Sequence, residues 1–199
     1  GVPLDECLRH ASLCAAGPIR MRTHRALVMA LRLAAEREGA YVDVERAIPE
    51  YYKVSGTGAV VEAILDAVIR WPGAGSEHRI DVSVRCPFAA RYPRTDSVPG
   101  VAAAAGGKEK RDRYGTSVSP LIFETGGRIG HDGLETLAAL QRDARMYGRR
   151  RLGRPPGFDM RVLRLSLEVA LAREVADATL LSLGCRSAAA LGWTLPATV

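Results

Sequence analysis

The chain has 199 residues, 47% of them apolar, with a formal net charge of +6 and a pI near 9.5. That length suits one packed core. The sequence contains no run of about 18 apolar residues able to span a bilayer and no n-region with an h-region to direct secretion. Cys7, Cys14, Cys86 and Cys185 are widely spaced and form no CxxC pair, which argues against a disulfide framework and for a reducing compartment.

In chain order, the opening GVPLDECL reads as a fragment of something longer. Residues 22–38, RTHRALVMALRLAAERE, place apolar side chains at 27, 28, 31, 34 and 35, and Gly39 follows as a stop, which predicts a helix. AYVDVERAI alternates Tyr41, Asp43 and Glu45 against Val42 and Val44, a half-buried strand, and PEYYKVSGTG reads as a loop. ILDAVIRW and HRIDVSVRC, separated by PGAGSE, predict a β-hairpin. With the turn centred on Pro72 to Gly75, Trp71 lies opposite Ser76 and Asp66 falls opposite Asp81. Asp66, Val68, Arg70, Asp81, Ser83 and Arg85 then share one face. Ala67, Ile69, Trp71, Val82 and Val84 form the apolar face.

Residues 87–100 are rich in turn formers and predict a loop. VAAAA through Tyr114 predicts a helix interrupted or begun near Gly106 and Gly107. SPLIFETGG reads as a buried strand, GLETLAALQRDARMYG as an amphipathic helix, RRRLGRPPG as a basic linker, and residues 158–184 as a long final helix. The expected fold is α/β (α+β), a mixed central sheet with a β-hairpin flanked by helices. Its expected divisions are a linker-like segment at 1–21, a core at 22–130 and a C-terminal helical extension at 131–199.

Nearly all the positive charge is arginine, 25 residues against three lysines, and two of the lysines, Lys108 and Lys110, fall within GGKEKRDRYG. Arginine suits phosphate recognition, so an acidic partner is favoured, although an arginine-biased genome would produce the same excess. Two carboxylates directly opposite on an antiparallel pair bring their Cβ atoms to about 4.5–5.5 Å. They cannot both stay ionised without a cation between them. A hard divalent ion such as Mg²⁺ supplies one, while a register slip would leave the aspartates at strand ends. On a helix, Lys110, Arg113 and Tyr114 stand at i, i+3 and i+4 and point the same way. Lys110 could position water and offset charge beside a phosphate. The alternative is an exposed charged helix, with Lys108 a phosphate contact or solvated. Arg142, Arg145 and the run Arg149, Arg150 and Arg151 suit DNA phosphates or solvent.

Taken in order, ILDAVIRW, HRIDVSVRCP, GKEKRDRYG and PLIFETGGRIG resemble the restriction-like endonuclease domain at the C-terminal end of site-specific non-LTR retrotransposon polyproteins. That domain is a branch of the PD-(D/E)xK nuclease superfamily, and the resemblance covers roughly residues 10 to 130. It implies a restriction-endonuclease-like core and a divalent-metal-dependent DNA endonuclease, acting in the nucleus and linked to an upstream reverse-transcriptase domain. By that resemblance Asp66 and Asp81 hold Mg²⁺ or Mn²⁺, and Lys110, Tyr114 and Glu45 complete the catalytic set. Glu45 could equally be a solvent-facing strand carboxylate. Lys108, Arg111, Arg113, Arg149, Arg150 and Arg151 would contact DNA. Leu65 stands where the family has proline. Ser83 stands where the wider superfamily has lysine, which this branch moves to the helix. His10 and Cys14, at H-x3-C, resemble the end of a zinc knuckle. Its paired cysteines are missing and Cys7 alone does not restore them, so Zn²⁺ is not expected in this fragment. His24 reads as a helix-start histidine, and Glu124 as a strand-end residue before a glycine turn.

Overall fold

The computed structural model describes residues 19–92, 98–149 and 157–182. His10, Cys14, Arg150 and Arg151 therefore lie outside the described residues. Among those described, four helices, α1 (Ile19–Arg37), α2 (Val101–Tyr114), α3 (His131–Tyr147) and α4 (Met160–Ser182), pack with six strands. The strands are β1 (Tyr41–Ala47), β2 (Lys53–Val54), β3 (Val60–Val61), β4 (Ile64–Arg70), β5 (His78–Arg85) and β6 (Ser119–Glu124). The architecture is mixed α/β, as the alternation of helical and strand periods predicts.

α1 exists because Leu27, Val28, Leu31 and Ala35 recur on one face and are all buried. It ends where Gly39, at φ 93°, reverses the chain: the Ala40 amide reaches Ala35 O (3.0 Å) and the Gly39 amide reaches Glu36 O (3.0 Å). That pair of bonds satisfies carbonyls the helix would otherwise orphan. The chain then returns directly into β1.

The main sheet has the order β1-β4-β5-β6. β1 with β4 and β4 with β5 run antiparallel, whereas β5 with β6 runs parallel. A parallel neighbour demands a crossover, and α2 is that crossover, so the helix carrying Lys110 is laid across β5 and β6. Gly106 and Gly107 do not interrupt it. A Cβ at Gly106 would meet Arg85 Nε and Ile122 Cγ2 at 3.1 Å, and one at Gly107 would overlap the Asp132 carboxylate. The glycines let the helix lie close on the sheet and on α3; their helix-weakening propensity is overridden by that packing.

Of the residues expected on the apolar hairpin face, Ala67, Ile69, Trp71 and Val82, with Ile80, join α1 and the last two helices in one buried cluster, and Val84 packs half-buried against it. Leu137, Leu140, Phe158, Leu163, Leu167 and Leu171 belong to it, so α3 and α4 share the core of the sheet. A second cluster of Ile48, Ala63, Leu65, Val68, Tyr114 and Val118 lies at the C-terminal end of α2. The stretch 49–58, expected as loop, instead holds a 3-10 turn at Pro49–Tyr51 and strand β2, which pairs with β3 in a separate two-stranded sheet. No helix among the described residues is long and apolar enough to cross a membrane.

Candidate active site

β4 and β5 pair Ala67 with Ile80, Val68 with Arg79 and Ile69 with His78. One further step in that register sets Asp66 opposite Asp81, the alignment counted from the turn. The β4–β5 ladder ends at Ala67 and Ile80, and from Ile80 onward the opposite edge of β5 pairs with β6, Asp81 aligning with Pro120. Where the strands part, the Val82 amide donates to Asp66 Oδ2 (2.6 Å) in place of a backbone carbonyl. The two aspartates thus sit where β4 and β5 part, one residue beyond the last antiparallel pair and beside the start of the parallel one.

Asp81 is 4% exposed. Lys110, reaching from α2, holds both its oxygens, 2.7 Å to Oδ1 and 2.9 Å to Oδ2. Burial pushes the Asp81 carboxyl above its ordinary 3.8; Lys110 opposes that through charge and hydrogen bonding, and Asp66 adds to it in the same two ways. Burial wins, so proton-sharing or a second cation is favoured where the carboxyls meet.

Tyr114 follows Lys110 by one helical turn and its ring is buried. Burial first, then the charge of Asp81, push its hydroxyl up to about 12, with Arg113 opposing. It remains a phenol able to donate a hydrogen bond. Arg113 lies over its ring, 4.8 Å from the centroid, and Tyr51 meets it edge-on with centroids 5.3 Å apart.

His24 also belongs to the site, contrary to its reading as a helix-start residue. Its Nε2 lies 3.0 Å from Asp66 Oδ1. The hydrogen bond to Asp66 raises it above its ordinary 6.5, with burial opposing and the charges of Asp66 and Asp81 assisting. The sequence carries a signal for this: His24 precedes Leu27, Val28 and Leu31 by three, four and seven residues, which places a polar ring on the inward stripe of α1.

Glu45 lies across β4 from this centre. Val44 pairs with Ala67 and Arg46 with Leu65, so the intervening Glu45 stands opposite Asp66. It is exposed, and at φ 52° it is the one non-glycine residue with positive φ among those described. That conformation is costly for an L-residue and concentrates at functional positions. Glu124 serves another purpose. Only 5% exposed, it accepts the Ala103 amide on Oε1 (3.1 Å) at the first turn of α2 and faces Arg128 Nε at 3.5 Å. A buried carboxylate at a helix N-terminus is a capping group.

The remaining candidate DNA contacts are distributed. Lys108 is exposed and bridged to Asp112 (3.1 Å), Arg111 is paired with Asp132 of α3, and the backbone amide of Arg149 donates to Glu38 O (2.8 Å) beyond the end of α3. Among the described residues no three His, Cys, Asp or Glu side chains are grouped to hold a metal ion. A Mg²⁺ site needs less, since one or two carboxylates complete their shell with water and substrate phosphate. No known protein family and no curated protein matches this chain.

Proposed function

We propose that the chain is a divalent-metal-dependent DNA endonuclease that nicks or cleaves target DNA, working as one part of a retroelement polyprotein with an upstream reverse transcriptase. The observation that carries the reading is the opposition of Asp66 and Asp81 on neighbouring strands with Lys110 on the intervening helix. The resemblance of those segments to a restriction-like nuclease supports it, as does a sheet that changes from antiparallel to parallel beside the aspartates. A restriction-endonuclease-like core, a nuclear site of action and DNA as partner follow from the same reading.

The donor set fits a hard cation. Two carboxyls facing each other, one raised by burial and by the other's charge, accept a divalent ion more readily than two negative charges side by side. Held by Asp66 and Asp81, Mg²⁺ or Mn²⁺ would supply Lewis-acid polarisation of the phosphate. In the hydrolysis a water oxygen bonds phosphorus in line with the leaving ester oxygen, whose bond to phosphorus breaks; water gives up a proton to solvent, and the leaving oxygen takes one. Lys110 offsets the charge that builds on the phosphoryl oxygens and holds the attacking water. Tyr114, kept neutral, donates to whichever acceptor Asp81 presents, and His24 with the Val82 amide fixes the rotamer of Asp66.

A second reading, a non-catalytic nucleic-acid-binding domain descended from a nuclease, is favoured by Lys110 itself, which occupies both Asp81 oxygens that a metal ion would otherwise take. Incubating the chain with supercoiled plasmid and Mg²⁺ or Mn²⁺ separates the two. Nicked or linear product supports the nuclease, and plasmid left intact with both ions, alongside retained DNA binding, supports the second reading.

A further inference from the structure

Asp81 does not stand alone on its face of β5. Side chains alternate along a strand, so Asp81, Ser83 and Arg85 share the side covered by α2, while Val82 and Val84 turn to the larger core cluster. Arg85 ends the strand and its backbone is held there, since its carbonyl accepts the Thr125 amide (3.0 Å). Its guanidinium is drawn under the helix: the side chain is 11% exposed, and Nη2 meets Glu109 Oε2 at 2.7 Å. Nε is buried and meets no hydrogen-bond acceptor among the described residues.

A buried arginine with an unsatisfied nitrogen is costly, and an apolar side chain could pack a helix on a sheet without that cost. What the arginine adds is placement. Gly106, Glu109 and Lys110 stand at i, i+3 and i+4 and share the face of α2 that lies on β5. The missing side chain of Gly106 leaves the room that Arg85 fills, because a Cβ there would meet Arg85 Nε at 3.1 Å and Cγ at 3.3 Å. The adjacent Glu109 and Lys110 carry opposite charges and take opposite charges on the strand, Arg85 and Asp81. Those two strand partners are four residues, about 13 Å, apart. A helix pinned at two points of opposite sign can neither turn nor slide without breaking one of them.

We infer that Arg85 is a positioning residue of the candidate active site: through Glu109 it fixes α2 above β5 and so sets Lys110 on Asp81. The inference deepens the nuclease reading and rests on it for the consequence to cleavage, whereas the placement of Lys110 can be read without any cleavage. When Asp81 takes another cation, Lys110 lets go of it. Its ammonium then stays within reach of a phosphate only while the helix is held, and a displacement of an ångström is enough to lose the geometry.

The chain's three lysines, Lys53, Lys108 and Lys110, make the test direct. Brief acylation of the metal-free chain with acetic anhydride, read by fragment mass spectra, reports the reactivity of each amine. In the parent, Lys110, part-buried and paired, should react several times more slowly than the exposed Lys53 and Lys108. Arg85→Leu cuts the link but alters a buried site, so the decisive variants are at Glu109, which is half exposed. Glu109→Ala keeps a helix-favouring residue there, so the melting temperature should hold within a few degrees. It should raise Lys110 acylation to near that of Lys108 and slow single-turnover plasmid cleavage about tenfold at unchanged DNA affinity. Glu109→Gln loses the charge but keeps an oxygen for Arg85, and should return most of both. Lys108 flanks Glu109 in sequence as closely as Lys110 does, so a change of local charge alone would speed both lysines alike. That result, or parental Lys110 protection in Glu109→Ala, overturns the inference. Protection that falls as expected in a chain whose parent cuts no DNA with Mg²⁺ or Mn²⁺ overturns the nuclease reading and leaves the placement standing.

Discussion

Lys110 Nζ grips Asp81 by both carboxylate oxygens, at 2.7 and 2.9 Å, from a helix whose position is set by the parallel crossover between β5 and β6. A lysine in this geometry offers a compact point charge on a flexible stem, which arginine, the cation used almost everywhere else in the chain, does not. Asp81 remains above its ordinary range despite that partner, because burial outweighs the attraction.

Removing the ammonium should separate chemistry from binding. Lys110→Ala is expected to reduce cleavage by on the order of 10² while duplex affinity stays within a few-fold, since the charge is needed chiefly in the transition state. It should also destabilise the fold by about 3–5 kcal/mol, because Asp81 loses its partner while buried. Lys110→Arg keeps the charge but cannot match the compact geometry, so its cleavage should also fall strongly. Single-turnover rates beside anisotropy titrations decide it; an arginine variant that cleaves like the parent reduces Lys110 to a phosphate contact.

Divalent ions should stabilise the folded chain if the opposed aspartates hold one. At an ion concentration about ten times its dissociation constant the gain is about 1.4 kcal/mol. Differential scanning fluorimetry across Mg²⁺ and Mn²⁺ concentrations should show a rising melting temperature for the parent and none for Asp66→Asn/Asp81→Asn. A flat parental response to both ions would remove the metal from the mechanism.

The opposed aspartates were legible in the sequence because a symmetric Pro-Gly turn and period-two alternation fix a hairpin register, and a slip of one residue would have set Val82 and Ile69 on opposite faces of the sheet. Three features were not legible. The glycines of α2 read as a break, since propensity cannot see Arg85 and Ile122 crowding against Gly106. The β2–β3 ribbon read as loop because two residues per strand, exposed on both faces, leave no alternation to detect. Glu124 lies 21 residues from the Ala103 amide it accepts, a contact set by the crossover alone. His24 was the missed site residue with a local signal, a polar ring on a buried stripe.

Protonated His24 makes the stability of the chain depend on pH in a defined direction. Its folded value is raised above 6.5 by Asp66. A base raised on folding contributes stability that is fully present below 6.5 and is lost as pH climbs through the raised value. Asp81, raised above 3.8, acts in the same direction at lower pH, since the folded state holds its proton longer than the unfolded chain. The metal-free chain should therefore melt at lower temperature as pH rises from 6.5 through the raised His24 value, and His24→Gln should flatten that loss. An equal pH slope in both proteins would mean the pair carries no net charge interaction.

DNA affinity should fall steeply with salt, because each arginine that neutralises a phosphate releases counterions. Changing Arg149, Arg150 and Arg151 together to Gln should reduce the log–log salt slope by about 0.9 for each phosphate these side chains neutralise. An unchanged slope assigns the run to solvent.

Glu45 tests whether strain is retained for function. At φ 52° it occupies backbone that costs an L-residue about 1–2 kcal/mol. Glycine adopts that conformation freely but loses roughly 0.5–1 kcal/mol through the greater freedom of its unfolded chain. The first effect is the larger, so Glu45→Gly should stabilise the protein by about 0.5–1 kcal/mol. Glu45→Ala keeps the strain and removes only an exposed carboxylate, so its stability should stay within about 0.5 kcal/mol of the parent. If the carboxylate opposite Asp66 takes part in cleavage, both variants should lose activity to a similar degree, and the more stable glycine form will be no better an enzyme than the alanine one. Denaturant melts paired with plasmid cleavage read both quantities. Parental cleavage in both variants would show that Glu45 faces only water, and a glycine variant that is not stabilised would show that the neighbouring strand pairing, not the residue, bears the cost of the turn.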